Sequence, residues 1–377
     1  MGLINIRLGD YIERSTINNK DLKYGVDLIV GVNSQGVFAT PKGNTDGVDL
    51  KPYKIVENGA FVYNPTRLEL GSIAYRTEGL CIVSHLYMVF YLTDEGKKII
   101  DPMWLYIYFR RSEFCREVTF RNFGSQRPEF NFNNMSDIII PLPNIEIQKK
   151  YVDVYNAMIE NQKSYECGLE GLKLVCDAYI EDLRRQMPCE AIATYVEEVN
   201  KKNIGNLKLD SVRGIATSKE FINTKANMEG VSLENYKVVE PGMIAFISDT
   251  SRRADKMSLA LNQSGENYLV SSISTVIQTD NTKLLPKYLY LFFCRTEFDR
   301  YARFHSWGSA RETFSLDDMK EVRMPLPSID VQKDIVGIYE AYKIRKEINE
   351  KLKAQIKDIC PILIKGSIEE ARKAKEA

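Results

Sequence analysis

The second half of this sequence repeats the first. Residues 141–149 read PLPNIEIQK, and residues 325–333, which begin 184 positions later, read PLPSIDVQK. At that offset, residues 124–157 match residues 308–341 at 14 of 34 positions without a gap. Because similar sequences bury similar hydrophobic patterns, the chain is predicted to fold as two copies of one unit.

The similarity extends upstream with small shifts in offset. YKIVENG at 53–59 resembles YKVVEPG at 236–242, and IYFRRSEF at 107–114 resembles LFFCRTEF at 291–298. The shifts indicate insertions between about residues 60 and 83, where surface loops can absorb them. The repeat therefore predicts a tandem duplication, with one copy before about residue 187 and the other after it.

Each copy shows the same order of predicted elements. Short β-like runs broken by turn formers come first, and a helix follows that Asp101 can cap and Pro102 can begin, with Pro286 in the second copy. A long amphipathic stretch with near-heptad apolar spacing ends each copy. The fold class predicted is α+β, with two tandem domains each followed by a long helix. The predicted boundaries are 1–143 and 188–327 for the domains, and 144–187 and 328–377 for the helices.

The two long helices leave two arrangements open. Antiparallel packing would place the domains at opposite ends of a rod, whereas parallel packing would place both at one end. A helix of roughly 40 residues spans about 60 Å. Either way, the helices would fix the separation of two repeated domains.

Several classes of function find no support in the sequence. No G-x-x-x-x-G-K-[ST] loop is present, which argues against a nucleotide site. The seven cysteines include no C-x-x-C pair and there are two histidines, so we expect neither a zinc site nor a disulfide framework. No signal peptide or membrane span is recognisable, and a cytoplasmic protein is expected. Lys plus Arg and Asp plus Glu number 51 each, so any nucleic-acid surface must be local.

The repeated motif resembles a known family. A domain that ends in Pro141-Leu142-Pro143 with Gln148-Lys149, then a long helix, with the same unit repeated at Pro325-Leu326-Pro327 and Gln332-Lys333, resembles the specificity (S) subunit of type I restriction-modification enzymes. The GAFVYNPTRLELGSIAY segment is also typical. The resemblance covers essentially the whole chain.

The resemblance carries specific implications. Each domain would be a target recognition domain that reads half of a split, asymmetric site on double-stranded DNA, and the two helices would form an antiparallel coiled coil that sets the gap between the halves. Two modification (methyltransferase) subunits would dock on the helices with S-adenosylmethionine for adenine methylation. Restriction subunits would add ATP- and Mg-dependent translocation and cleavage. The chain itself would be non-catalytic, bind no cofactor and work in a bacterial or archaeal cytoplasm.

The residues expected to touch DNA lie near the shared GSxR segments. Residues 110–127 carry a local charge of +3 and residues 295–311 carry +2, with Phe120, Phe123, Phe304 and Trp307 interleaved. Arginine contacts phosphates and can also read guanine edges. The predicted DNA-binding residues are Arg67, Arg116, Arg121, Ser125, Arg127, Arg252, Arg253, Arg300, Arg303, Ser309 and Arg311.

Two alternatives remain at this point. Arg127 and Arg311 are shared by copies that should read different sequences, which favours either phosphate contact or the structural bracing of a turn over the choice of a base. At the level of the whole chain, a neutral charge also fits a non-catalytic coiled-coil adaptor that holds two protein-binding domains. Salt-sensitive binding of duplex DNA separates that adaptor from a DNA reader.

Overall fold

A computed structural model describes residues 2–41, 43, 45, 47–122, 129–205, 207–224, 227–250, 256–308 and 312–376. For residues 375 and 376 it describes the backbone alone. The chain divides into two compact units. Unit 1 consists of Met1–Ser164 and Ile348–Ala377, and unit 2 consists of Tyr165–Glu347. Each unit therefore takes one globular domain and part of both long helices.

Unit 1 is built on a four-stranded antiparallel sheet in the order β2-β9-β6-β7. The hairpin β3–β4 and the antiparallel pair β5–β8 lie beside it, and β1 pairs with β10 so that the start and end of the domain meet. The strands are β1 Ile4–Arg7, β2 Ile12–Ser15, β3 Gly31–Val32, β4 Phe38–Ala39, β5 Lys54–Val56, β6 Phe61–Tyr63, β7 Ile73–Tyr75, β8 Cys81–Val83, β9 Met88–Leu92 and β10 Ile139–Leu142. The helices are α1 Asp94–Ile99, α2 Pro102–Phe109, α3 Ser112–Arg121, α4 Phe132–Ser136 and α5 Ile145–Gln186, which continues into unit 2.

Both faces of this sheet are buried because its strands are apolar at successive positions. Phe61 and Phe90 point to one face, where they pack with Phe109 and the rest of α2. Val62 and Val89 point to the other face, towards β5 and β8. Successive side chains of a strand point to opposite faces, so this arrangement follows from the sequence of β6 and β9.

Helix α2 begins as the sequence predicts. Oδ1 of Asp101 accepts hydrogen bonds from the backbone amides of Met103 and Trp104, at 2.9 and 3.1 Å, and Pro102 occupies the first turn. Trp104 is fully buried, and its indole nitrogen donates to the hydroxyl of Ser367 in α9 at 3.1 Å. In unit 2 the matching helix also starts with proline, at Pro286, but no side chain of the preceding residue caps it.

Unit 2 repeats the same architecture, with a four-stranded antiparallel sheet in the order β12-β19-β16-β17. Its strands are β11 Cys189–Ala191, β12 Val196–Glu198, β13 Arg213–Ile215, β14 Phe221–Asn223, β15 Lys237–Val239, β16 Ile244–Ile247, β17 Leu259–Leu261, β18 Tyr268–Val270, β19 Ser274–Thr279 and β20 Arg323–Pro325. Its helices are α6 Pro286–Phe293, α7 Thr296–Phe304, α8 Leu316–Lys320 and the start of α9 Ile329–Glu376. The predicted fold class, two tandem α+β domains each followed by a long helix, is confirmed.

The long helices run antiparallel within each unit. In unit 1, Nζ of Lys150, near the start of α5, lies 2.9 Å from Oε1 of Glu370, near the end of α9, while Gln162 further along α5 bonds Asn349 further back along α9. In unit 2, Tyr165 stacks under Arg345, with the guanidinium 5.0 Å from the ring centroid. Within each unit, the segments of α5 and α9 that pack together are therefore antiparallel.

The Gln162–Asn349 pair is a polar contact buried between two helices of unit 1. The side chains are 8% and 2% exposed, and Nε2 of Gln162 donates to Oδ1 of Asn349 at 2.9 Å. Asn349→Leu leaves the Gln162 amide without this acceptor, and we expect it to lower the free energy of unfolding by about 1–3 kcal/mol. The double variant Gln162→Leu/Asn349→Leu should recover most of that loss in thermal denaturation. A single variant as stable as the wild type would contradict the expectation.

Each domain has a buried cation at the turn between two of its short strands. In unit 1 the β3–β4 turn places Gly36 in the left-handed region, with φ 75°. Arg110, at the end of α2, donates through Nη1 to the carbonyl oxygen of Gly71 at 2.5 Å. A Cβ on Gly36 would lie 2.5 Å from that Nη1 atom. The arginine and a side chain at position 36 therefore exclude each other.

In unit 2 the matching space is filled by the side chain of a residue in the turn itself. The matching residue of the β13–β14 turn is Lys219, with φ 67°, and its Nζ lies 2.5 Å from Oδ1 of Asp299. Tyr290 donates its hydroxyl to the carbonyl oxygen of Lys219 at 2.6 Å, and Tyr106 of unit 1 does the same to its own turn. The residue that matches Arg110 is Cys294. A cation is thus kept, although a different element supplies it.

Candidate nucleic-acid interface

The loop after β6 holds Arg67 at the surface of unit 1. Oδ1 of Asn64 accepts hydrogen bonds from the backbone amide and hydroxyl of Thr66, at 3.1 and 2.9 Å, which closes an Asx turn. A single 3-10 turn, Leu68–Leu70, follows, and Leu68 is fully buried. The buried leucine anchors the loop, and the residue before it, Arg67, is exposed.

Segments far apart in the sequence meet at this loop. The backbone amide of Phe130 donates to the carbonyl oxygen of Pro65 at 3.0 Å, and the Phe130 ring is buried against Tyr63. Helix α3 packs on the 3-10 turn Leu68–Leu70. The loop, helix α3 and the residues that follow the GSxR segment therefore form one surface of unit 1, which we name surface 1.

Unit 2 builds the matching surface with an equivalent backbone bond. The amide of Phe314 donates to the carbonyl oxygen of Ser248 at 2.8 Å, and these residues match Phe130 and Pro65 in the repeat. Thr250 donates through its amide to the carbonyl oxygen of Glu312 at 3.0 Å. The loop after β16, helix α7 and the residues on both sides of 309–311 therefore form surface 2.

Helices α3 and α7 turn the same residue types to solvent. Arg116 and Phe120 are exposed on α3, and Arg300 and Phe304 are exposed at the matching positions of α7. Residues four apart lie on one face of a helix, so each arginine and its phenylalanine are neighbours. The opposite faces carry the buried side chains Phe114, Val118, Phe298 and Ala302.

Ion pairs reduce the positive charge that these surfaces offer. Nη2 of Arg121 lies 2.8 Å from a carboxylate oxygen of Glu117, Nη2 of Arg116 lies 3.5 Å from Glu113, and Arg303 pairs with Glu312. Within the described part of the chain, the side chains of Arg67 and Arg300 have no hydrogen bond or ion pair. Among the described arginines of surfaces 1 and 2, these two have a charge that no carboxylate of the described residues offsets.

Five of the predicted DNA-binding residues are described, and all five are exposed: Arg67, Arg116, Arg121, Arg300 and Arg303. The other six lie outside the described residues: Ser125, Arg127, Arg252, Arg253, Ser309 and Arg311. Two arginines that contribute to the local charge counts are buried instead. Arg110 binds backbone carbonyls, and Arg295, 5% exposed at its side chain, pairs with Glu181 at 3.0 Å. The sequence-based charge of +3 and +2 therefore overstates what solvent meets.

The described residues form neither a candidate metal site nor a membrane-spanning helix. Among those residues, no three His, Cys, Asp or Glu side chains come together in a way that could hold a metal ion. No described helix is both long enough and apolar enough to cross a membrane.

Comparison with known proteins places these observations in a family. The family model described as "Type I restriction modification DNA specificity domain" matches residues 4–165 and 200–358. No curated protein sequence matches the chain. Among solved structures, the S subunit of a type I restriction-modification system from M. genitalium is similar, with a TM-score of 0.58 at 11% identity over 97% of this chain and 96% of that chain.

Two further structures match less well. The HsdS subunit from Thermoanaerobacter tengcongensis has a TM-score of 0.44 at 14% identity, over 97% of this chain and 96% of that chain. A chain of a type I R-M system, from a structure concerned with complex assembly and conformational transition, has a TM-score of 0.48 at 15% identity, over 96% of this chain and 97% of that chain. The two sequence matches cover most of both repeats, and the chain belongs to the type I restriction-modification DNA specificity domain family, of which it carries two copies.

Proposed function

We propose that the chain directs a type I restriction-modification enzyme to a bipartite, asymmetric site on double-stranded DNA, with a fixed number of base pairs between the two halves. Surface 1 binds one half and surface 2 binds the other. The observation that carries the proposal is the recurrence of one arrangement in both units: a loop, a helix with an exposed arginine, and the flanks of the GSxR segment.

The two surfaces differ where a sequence reader must differ. At matching places after β6 and β16, the loops read NPTRLEL and SDTSRRAD. Contacts with phosphates position a protein without choosing a sequence, whereas contacts with base edges choose it. Shared residues such as Arg116 and Arg300 fit the first role, as does the exposed cation Arg67, and the other residues of the divergent loops fit the second. Different loops imply different half-sites.

Catalysis in this proposal belongs to partner subunits. Two methyltransferase subunits bring S-adenosylmethionine and methylate adenine, and restriction subunits bring ATP and Mg for translocation and cleavage. The chain contributes recognition and is non-catalytic. Its place of work is the bacterial or archaeal cytoplasm.

The proposal is tested by sequencing the methylome of a host that expresses this chain with its methyltransferase subunit. The expected result is adenine methylation at a motif of two different half-sites with a constant spacer. The control is a host that expresses the methyltransferase subunit alone. No new methylation, or methylation at a single uninterrupted motif, would refute the proposal. Partner binding without salt-sensitive DNA binding would instead support the adaptor.

Removal of the two accessible cations should weaken DNA binding in a recognisable way. We expect Arg67→Ala and Arg300→Ala each to lower the affinity of the assembled complex and to reduce the slope of log K against log salt by about 1, as loss of one phosphate contact does. The measurement is a titration of a duplex that carries the mapped motif at several salt concentrations.

The matched control for this titration is Lys98→Ala. Lys98 is exposed on α1, which follows the Leu92 end of β9, whereas the Arg67 loop lies at the Met88 end. The control should leave both affinity and salt slope unchanged. An unchanged slope in both arginine variants would remove these residues from the interface.

A further inference from the structure

The loop that carries Arg67 is held at its far end by a buried arginine. Arg110, at the end of α2, donates through Nη1 to the carbonyl oxygen of Gly71 at 2.5 Å, and its Nη2 lies 3.4 Å from the carbonyl oxygen of Ser34 in the β3–β4 turn. Gly71 has φ 87°, and a Cβ there would lie 3.0 Å from both Nη1 and that oxygen of Ser34. The loop end, the turn and the helix end are therefore packed around one guanidinium.

Two hydrogen bonds connect this loop end with the backbone of Arg67 and with the strand β3. The amide of Ser72, the residue after Gly71, donates to the carbonyl oxygen of Arg67 at 3.3 Å. The hydroxyl of Ser72 is buried and donates to the carbonyl oxygen of Val32 at 2.8 Å. Because Gly71 and Ser72 are both held from outside the loop, the backbone of Arg67 is held with them.

In unit 2 a residue of opposite charge holds the matching end of the loop. Asp299 of α7, which matches Cys115 in the repeat, accepts at Oδ1 a hydrogen bond from the backbone amide of Met257 at 3.0 Å. Met257 lies two residues before β17, where the loop after β16 ends. The same oxygen is 2.5 Å from Nζ of Lys219 in the β13–β14 turn. Loop end, turn and helix therefore meet again, and the lysine offsets the charge of the buried carboxylate.

The two restraints use opposite chemistry at the same place. The loop of unit 1 directs a carbonyl oxygen inwards and meets a donor, Arg110, whereas the loop of unit 2 directs an amide inwards and meets an acceptor, Asp299. Each unit has the type of side chain that its own loop requires. Since the restraint is kept although its charge is reversed, position is the property that the two units share.

We propose that Arg110 and Asp299 are positioning residues for sequence recognition, each fixing the end of the loop through which its unit reads a half-site. This inference rests on the proposed function, in which the choice of bases belongs to the divergent loops. Groups that recognise a ligand must be held within about 0.5 Å of the productive geometry by the residues behind them. Both side chains are buried, so they act on recognition through the loop and not through a contact with DNA.

The test for unit 2 compares two double variants in the complex assembled with methyltransferase subunits. Lys219→Met/Asp299→Asn removes both charges and keeps an acceptor for the amide of Met257, whereas Lys219→Met/Asp299→Leu removes both charges and the acceptor. Kd is measured for the motif duplex and for duplexes with one base pair changed in either half. A wrong base pair ordinarily raises Kd by roughly tenfold. The second double variant should reduce this ratio to about threefold in one half-site only, and the first should retain it.

The test for unit 1 is Arg110→Met, with Arg110→Lys as the conservative variant that keeps a cation able to donate to Gly71. Arg110→Met should relax discrimination in the half-site that the unit 2 variants leave unchanged. Arg110→Lys should give a ratio between those of Arg110→Met and the wild type. The control for both units is Lys98→Ala, an exposed residue of α1, which should retain discrimination in both half-sites.

Equal discrimination by the two double variants would overturn the inference for unit 2, and wild-type discrimination by Arg110→Met would overturn it for unit 1. Relaxation of both half-sites to the same extent, or failure of a variant to assemble with the methyltransferase, would indicate a purely structural role and would also overturn it. A wild-type complex that binds the motif duplex no better than an unrelated duplex would instead refute the proposed function.

Discussion

Replacement of Lys219 with methionine is expected to lower the free energy of unfolding of unit 2 by about 3–5 kcal/mol, the cost of leaving a buried charge without its partner. The side chains of Lys219 and Asp299 are 8% and 9% exposed. Oδ1 of Asp299 also accepts a hydrogen bond from the backbone amide of Met257 at 3.0 Å. Without the ammonium, this carboxylate would have one backbone donor to offset its loss of water.

The lysine depends equally on its partner. Burial lowers the pKa of Lys219, and the adjacent carboxylate of Asp299 acts in the opposite direction. We therefore expect the double variant Lys219→Met/Asp299→Asn, which removes both charges and keeps an acceptor for Met257, to regain much of the lost stability. Thermal denaturation together with hydrogen exchange in peptides of unit 2 would measure both variants.

The matched control is Lys98→Met, because Lys98 pairs with Glu95 on the surface at 2.5 Å and both side chains are more than half exposed. Exposed pairs of this kind contribute little. A Lys219→Met variant that unfolds within about 0.5 kcal/mol of the wild type, the ordinary scatter of surface substitutions, would show that the buried pair does not stabilise the domain.

Replacement of Gln332 with leucine should cost unit 2 about 2–4 kcal/mol, because several buried hydrogen bonds are lost together. This side chain is fully buried at the start of α9. Its Oε1 accepts from the backbone amide of Leu285 at 2.9 Å, and its Nε2 donates to the carbonyl oxygens of Lys283 and Pro327 at 2.8 and 2.9 Å. Leucine has a similar size but leaves these three backbone groups without their partner.

Gln148 makes the same set of bonds in unit 1. It accepts from the amide of Asp101 at 2.8 Å and donates to the carbonyl oxygens of Ile99 and Pro143 at 2.8 and 2.7 Å. Gln148→Leu should therefore raise hydrogen exchange in peptides of unit 1, and Gln332→Leu in those of unit 2. The adjacent exposed Lys333→Ala is the control. Faster exchange at neither site would show that the glutamines are dispensable to the fold.

The repeat and the start of α2 could be predicted because they depend on neighbours in the sequence. Asp101 caps a helix that begins at the next residue, and the apolar runs of the strands and long helices report which faces are buried. The shared PLP segment with Gln148 and Gln332 was also recognisable as a motif. The role of the glutamines could not be predicted, because each one forms hydrogen bonds between the start of a long helix and a segment 47 to 49 residues away.

Charge counting along the chain failed for a related physical reason. Arg110 and Arg295 belong to arginine-rich stretches, yet the fold turns both inwards, to backbone carbonyls and to Glu181. Local composition does not reveal which side of a helix a cation occupies. Conversely, the loop with Arg67 and the helix with Arg116 are well separated in sequence, and only the packing of α3 on the Leu68–Leu70 turn brings them together.

The buried cation comes from the end of helix α2 in unit 1 and from the turn in unit 2. This difference limits which segments could be exchanged between the two halves of the chain. A hybrid domain with the Lys219 turn and the Arg110 helix would force two positive side chains into one space. The reciprocal hybrid, with Gly36 and the helix that carries Asp299, would bury an anion with no counterion. We therefore expect recombination between the two copies to be tolerated only where the turn and the helix are inherited together.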